Sequence, residues 1–260
     1  MTTTLNDEVR AFWERQPCGT QKEFTGALER GSKAWFEQVE EHRYRVEPFI
    51  HGVAQFTRHT GKTMLEIGVG AGTDHLQWAR AGCRCHGVDL TDAAIETTRR
   101  RLDLYGLRSD LRRLDAETLP FPAASFDLVY SWGVIHHSER PERIIAEIHR
   151  VLKPGGRFIG MMYNLWSVAV LKQWVRHGLL AGRPWRSLDD LVWHHIESIG
   201  TKAYSRPALH RLFAAFERVE TRSLITPYDR YRFPGWLASQ FPDPWGFFTA
   251  IDAVKRASAS

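Results

Sequence analysis

The sequence predicts an α/β fold wound around an open, mostly parallel sheet, and three observations predict it. First, Lys62-Thr63-Met64-Leu65 feeds a short buried strand and His75-Leu76-Gln77-Trp78-Ala79 opens a helix, so the glycines of residues 65–74, LEIGVGAGTD, lie in the turn between them. Second, residues 83–90 read as another strand ending in Asp89, and Asp92 caps a helix through Ala93-Ala94-Ile95, which completes a βαβ unit. Third, a strand over 125–130, a helix ending near Glu147 to Lys153 and a further strand over 156–163 continue the alternation.

Gly68, Gly70 and Gly72 form G-x-G-x-G, whereas the dinucleotide fingerprint is G-x-G-x-x-G, and Thr73 stands where its last glycine would be. The turn therefore reads as a nucleoside site without a pyrophosphate clamp. Glu66 adds a fixed negative charge beneath it, which suits a cofactor with a cationic end. Asp89, about twenty residues beyond the first glycine, stands where Rossmann-like sheets hold a ribose diol, with Leu90 beside it.

The segment E-x-G-x-G-x-G resembles motif I of the class I S-adenosylmethionine-dependent methyltransferases, and the later motifs follow in the family's order across residues 65–163. The resemblance implies that Asp115 of Asp115-Ala116-Glu117 accepts from the adenine amino group, with Ala116 as a backbone donor. It also implies that Ser131-Trp132-Gly133 lies under the sulfonium. Its fold implication is a Rossmann-like, doubly wound seven-stranded sheet of order 3-2-1-4-5-7-6 with the last strand antiparallel. The expected donor site is Glu66, Gly68, Gly70, Gly72, Asp89, Leu90, Asp115, Ala116, Glu117, Ser131 and Gly133, and the expected cofactor is S-adenosyl-L-methionine.

A chain of 260 residues with 43% hydrophobic content buries a full core in one elaborated domain. Residues 1–60 are expected to form a helical lid or substrate-side segment, with Phe12-Trp13 before a Pro17-Cys18-Gly19-Thr20 loop and an amphipathic helix over 35–44. This opening is similar to that of small-molecule methyltransferases of the ubiquinone and menaquinone C-methyltransferase-like group. Residues 61–260 form the methyltransferase domain, with acceptor-pocket insertions over 165–204 and 226–245. Ser205 and Pro207 open a helix, residues 218–225 read as the sixth strand and 247–255 as the last.

Methyl transfer is an in-line displacement that gains most from alignment in a water-poor cavity. Where the acceptor must lose a proton, His136, His137 and Tyr163 are the catalytic candidates. Trp166, Trp193, His194, His195, Tyr204, Tyr228, Arg230 and Arg232 are the acceptor-side candidates, the arginines as readers of a carboxylate or phosphate. The six tryptophans 166, 174, 185, 193, 236 and 245 lie where a pocket's aromatic walls would be built. His194-His195-x-Glu197 reads as a polar helix face, and no metal is expected.

The net charge of +5 comes with one basic cluster, Arg99, Arg100, Arg101, Arg108, Arg112 and Arg113, read as a solvated face at and beyond a helix C-terminus. Nucleic acid is not expected as a partner. The N-terminus lacks an apolar signal segment, no run is long enough to span a bilayer, and three cysteines point to the cytoplasm. The function expected is methylation of a small-molecule, specialised-metabolite acceptor at O, N or C. The alternatives are a quinone-biosynthesis C-methyltransferase and a non-catalytic cofactor-binding module.

Overall fold

The computed structural model describes residues 4–257 apart from 16, 18, 232, 234, 235 and 237–239. Four helices precede the sheet, α1 (Leu5–Arg15), α2 (Lys22–Thr25), α3 (Lys33–Val46) and α4 (Phe49–Ala54). The strands are β1 (Thr63–Ile67), β2 (Arg84–Asp89), β3 (Asp110–Arg113), β4 (Phe126–Trp132), β5 (Leu152–Tyr163), β6 (Arg218–Leu224) and β7 (Phe248–Val254). Between them run α5 (Thr73–Arg80), α6 (Asp92–Leu104), α7 (Pro141–Val151), α8 (Val168–Trp174), α9 (Leu188–His195), α10 (Arg206–Leu212) and α11 (Pro227–Arg230).

The sheet order is β3-β2-β1-β4-β5-β7-β6, as the family resemblance implied. β1 pairs in parallel with β2 and β4, and β7 runs antiparallel between β5 and β6. Alternation along β1 sends Met64 into one core layer and Leu65 and Ile67 into the other, so Glu66 shares the face that packs on α5. On the opposite face α7 buries Ile144, Ile145, Ile148 and Val151, spaced for one stripe of a helix.

Two local readings are corrected. Thr91, not Asp92, caps α6, its hydroxyl accepting from Ala94 N, while Asp92 pairs with Arg113 at 3.1 Å. The basic cluster is exposed except at Arg101, which is wholly buried, and Arg112 and Arg113 lie on the edge strand β3. The Arg101 guanidinium donates to Ala71 O (3.1 Å), Thr73 Oγ1 (2.6 Å), Phe36 O (2.9 Å) and Glu40 Oε2 (3.0 Å). It thereby joins α3, α6 and the glycine turn, and charged hydrogen bonds to four acceptors offset the cost of burying it.

A second buried cluster ties α3 to the sheet. Asp74 Oδ2 accepts from Arg43 Nη2 (2.8 Å) and Tyr130 Oη (2.9 Å), and Oδ1 accepts from Tyr44 Oη (3.0 Å). Arg43 also donates to Glu47 Oε1 at 3.0 Å, and Trp132 Nε1 donates to Glu47 Oε2 at 2.8 Å. Burial pushes the Asp74 carboxyl up, but the Arg43 charge and the hydrogen bonds from Arg43, Tyr130 and Tyr44 outweigh it and hold it below its ordinary value.

The two insertions pack on each other. Asp229 is buried and accepts from Thr226 N, Thr226 Oγ1, Phe247 N and Ala169 N, while Lys172 Nζ donates to the carbonyls of Tyr228, Asp229 and Tyr231.

A carboxylate whose folded pKa is depressed contributes stability above its unfolded pKa and loses it as pH falls through the folded one. Asp74→Asn should therefore cost about 3 kcal/mol at pH 7, with the gap to the parent closing below about pH 4. Urea unfolding at pH 7 and pH 3 measures this, and an equal gap at both would exclude an ionised Asp74 as the clamp.

Candidate functional site

The strands β1, β2 and β4 end beneath one cavity of about 750 Å³. Its floor is the turn after β1, and its far wall comes from α1, α3 and the ends of β4 and β5. The three glycines of the turn all have positive φ but serve different ends. A Cβ on Gly68 would meet Val134 Cγ2 at 2.2 Å and one on Gly72 would meet Thr98 Oγ1 at 2.9 Å, so the protein's own packing demands both. A Cβ on Gly70 would meet nothing within 4 Å, because Gly70 faces the cavity.

Asp89 lines the cavity from the end of β2. Its Oδ1 accepts from Thr91 N (2.9 Å) and Thr91 Oγ1 (2.8 Å), and Oδ2 accepts from Gly70 N (3.1 Å). With Oδ1 filled, one lone pair on Oδ2 remains for a ligand. Burial raises the carboxyl above its ordinary value, and the hydrogen bonds from Thr91 and Gly70 work against that rise.

Glu66 lies 2.9 Å from His75 Nδ1 through Oε2, and His75 Nε2 lies 2.8 Å from Ser109 Oγ. Burial lowers the His75 ring to about 4, so it is neutral at pH 7. Burial, then the charge of Asp74, push the Glu66 carboxyl well above the usual range, so its charge is conditional rather than fixed as the sequence suggested. A cationic ligand end would favour its ionised form. Glu47, Glu66 and Asp74 line this end of the cavity with Arg43, and burial raises the Glu47 carboxyl as it does that of Glu66.

Asp115 carries a contact that sequence reading did not foresee. Asn6 Nδ2, from α1, donates to Asp115 Oδ2 (2.8 Å) and Glu117 Oε1 (2.8 Å), and Glu139 N donates to Asn6 Oδ1 (2.7 Å). Glu14, at the other end of α1, accepts from Asp92 N and Ala93 N and so adds a charge to the N-terminus of α6.

Of the expected donor residues, Glu66, Gly68, Gly70, Asp89, Leu90, Asp115, Ala116 and Gly133 line the cavity. Gly72, Glu117 and Ser131 stand behind it. Glu117 accepts from Asn6, Ser138 and Arg140, which staples 115–117 to the segment before α7. Ser131 donates to Ile67 O at 3.0 Å, bridging β4 and β1.

His137 and Tyr163 line the cavity, while His136 is wholly buried behind them with its ring 3.9 Å from that of Tyr163. Glu197 joins this group. It accepts from Tyr163 Oη at 2.7 Å through Oε2, which lies 3.2 Å from His137 Nε2. His136, His137 and Glu197 bring ligand-type atoms within 4.8 Å of one another, but the Tyr163 proton already occupies the Glu197 oxygen nearest His137. Both His136 ring nitrogens and His137 Nε2 are buried without a hydrogen-bond partner.

The acceptor-side expectation is only partly met in space, since Tyr228 alone of that set lines the cavity among the described residues. Trp166, Trp193 and Arg230 are exposed, and Tyr204 pairs through its backbone with Tyr163. His194 bonds Asp190 O, and the His195 ring stacks on His177 at 3.9 Å. Arg232 lies outside the described residues. The tryptophans that do line the cavity are Trp13, from α1, and Trp132, from the end of β4.

A family model described as a methyltransferase domain matches residues 65–160. The chain is 32% identical over 193 residues to the phthiotriol/phenolphthiotriol dimycocerosates methyltransferase 1 of Mycobacterium ulcerans (strain Agy99), covering 72% of this chain and 69% of that protein. It spans 35–39% of the length of several other curated relatives. Among solved structures, the geranyl diphosphate C-methyltransferase of Streptomyces coelicolor A3(2), with S-adenosyl-L-homocysteine bound, aligns at TM-score 0.60 and 16% identity over 98% of this chain and 99% of that one. The [4+2]-cyclase SpnF aligns at TM-score 0.58 and 18% identity over 89% and 86%, a likeness of fold alone. Taken with the sheet order and the glycine turn, these matches place the chain in the class I S-adenosylmethionine-dependent methyltransferases, as an enzyme of their small-molecule branch with S-adenosylmethionine as its cofactor.

Proposed function

We propose that the chain methylates an apolar, neutral small molecule bound under α1, with the donor seated across the turn after β1. The observation that carries this reading is a single cavity whose floor is polar around Asp89 and Asp115 and whose far wall is Phe12, Trp13, Trp132, Met161 and Tyr228. The donor fits that floor in two respects. Gly70 leaves open the space a Cβ would fill, and the carboxyl groups of Glu47, Glu66 and Asp74 at one end offer acceptors to a cationic amino acid moiety.

In this reading Asp89 takes one ribose hydroxyl, since its other oxygen is filled by Thr91, and Asp115 takes the adenine amino group, sharing Oδ2 with Asn6. The donor supplies an electrophilic methyl group. The protein's part is to align the acceptor and exclude water. We assign water exclusion to α1, whose residues Asn6, Val9, Phe12 and Trp13 face the cavity and which has Val9 as its one buried side chain.

Of the arginines that line the cavity, Arg43 is taken by Asp74 and Glu47, and Arg15 is exposed with its guanidinium over the Phe12 ring; both observations support a neutral acceptor. The free thiols of Cys83 and Cys85 support a cytoplasmic location, and the pairing of Arg112 with Asp110 and of Arg113 with Asp92 supports a role without nucleic acid. No helix among the described residues is long and apolar enough to cross a membrane.

Asp89→Ala should weaken S-adenosyl-L-homocysteine binding by about 10- to 100-fold, the loss of a charge-assisted hydrogen bond. Calorimetry that finds unchanged affinity in the folded variant removes Asp89 from the donor site. Gly70→Val should bind more weakly still while costing only about 1–2 kcal/mol of backbone strain. Gly68→Ala should cost roughly 2 kcal/mol more than that in urea unfolding, because its Cβ also meets Val134. Equal stability of the two variants would contradict this division of roles.

A further inference from the structure

We propose that the outer side of the first insertion, from Trp166 to Arg186, is a docking surface for an anionic lipid bilayer. It lies beside the mouth of the cavity and sets the enzyme on a membrane surface without crossing it.

The face is built by the fold. The first turn of α8 is buried through Val168, Ala169 and Val170. The helix then runs on as a π-helix over Val175–Leu179, and Leu171, Val175 and Leu179, at intervals of four residues, form an exposed apolar row. The chain turns back through bonds from Leu180 N to Val175 O (2.9 Å), Arg183 N to Gly178 O (2.8 Å) and Trp174 Nε1 to Pro184 O (3.2 Å). Those bonds hold out Leu180 and Trp185, which are 78% and 77% exposed, and Trp166, also exposed, stands just before α8. Single exposed apolar side chains are ordinary, but six from one short segment make a patch that solvation alone does not explain.

Charge selects the occupant. Residues 164–188 contain Lys172, Arg176, Arg183 and Arg186 and no Asp or Glu. Lys172 is bound to the carbonyls of Tyr228, Asp229 and Tyr231, and Arg186 to Asp190 at 2.6 Å. The exposed Arg176 and Arg183 have no ion pair among the described residues. Apolar side chains with tryptophan among them, flanked by unpaired cations, are the pattern that an anionic phospholipid interface attracts. A second copy of the chain fits less well, since a two-fold contact on this face brings these cations toward those of the other copy.

Tyr228 is both exposed and part of the cavity lining, and Lys172 of α8 holds its carbonyl, so the cavity opens next to this face. An apolar acceptor dissolved in the bilayer would then reach the cavity without crossing water, a consequence that rests on the function proposed above; the docking itself does not.

Flotation of the full chain with vesicles tests the proposal. The protein should float with vesicles of equal parts phosphatidylglycerol and phosphatidylcholine, and about tenfold less with phosphatidylcholine alone. The double variant Leu180→Gln with Trp185→Ser should partition about tenfold more weakly, and Arg176→Gln with Arg183→Gln about 10- to 30-fold more weakly. Both should keep S-adenosyl-L-homocysteine affinity within about twofold of the parent, since neither pair lines the cavity. Arg99→Gln with Arg100→Gln, on the exposed basic side of α6, should partition like the parent. No flotation on the anionic vesicles, equal flotation on phosphatidylcholine alone, parent-like partitioning of either insertion variant, or an equal loss in the α6 variant would each overturn the proposal. So would a dimer in lipid-free sedimentation equilibrium that Leu180→Gln with Trp185→Ser dissociates, because the occupant would then be a second copy. Failure of the unaltered protein to bind S-adenosyl-L-homocysteine would instead sink the donor reading and leave the docking surface standing.

Discussion

The buried carboxylate of Asp74 is the constraint on which the site depends. It sits in the first turn of α5, directly after the glycine turn, and accepts from Arg43, Tyr44 and Tyr130, so helix, sheet and N-terminal segment meet on one side chain. A buried charge is tolerable only when its partners are complete, and removing any partner leaves the others uncompensated. The geometry of the turn is therefore fixed before a ligand arrives. Arg101 reinforces it from the other side through Ala71 and Thr73.

This clamp separates the N-terminal segment into two mechanical parts. α3 buries Trp35, Phe36 and Val39 and, through Glu40, Arg43, Tyr44 and the capping residue Glu47, bonds to α5, α6 and β4, so it is scaffold. α1 is tied to the rest by polar contacts at Asn6 and Glu14 and by packing of Leu5, Val9 and Trp13, and its aromatic residues face the cavity. The preorganised floor suits a donor that must be held still, and a separate cover suits an acceptor that must enter and leave.

Legibility in the sequence followed the range of the interaction. The strands were readable because β1, β2 and β4 carry their pattern within a few residues, and Ser205 and Pro207 mark α10 by local capping chemistry. The floor glycines were readable for the same reason, although only contacts showed that Gly68 and Gly72 serve packing and Gly70 the cavity. Arg101 looked like a member of a solvated run because its acceptors lie 28 to 65 residues away, invisible to any local window. Asn6 reaches Asp115 across 109 residues, and Glu197 reaches Tyr163 across 34. The tryptophans misled for a related reason. Aromatic content signals a wall somewhere, but topology decided that Trp13 and Trp132 supply it while Trp166, Trp185 and Trp236 stay exposed.

The most direct test of a fixed floor under a separate cover is amide hydrogen exchange with and without S-adenosyl-L-homocysteine. The account predicts that α3 is strongly protected in both states, in step with β1, and that α1 gains protection only when the ligand is present. If α3 and α1 exchange at the same rate and respond together, the Asp74 clamp does not divide the N-terminal segment and the account is contradicted.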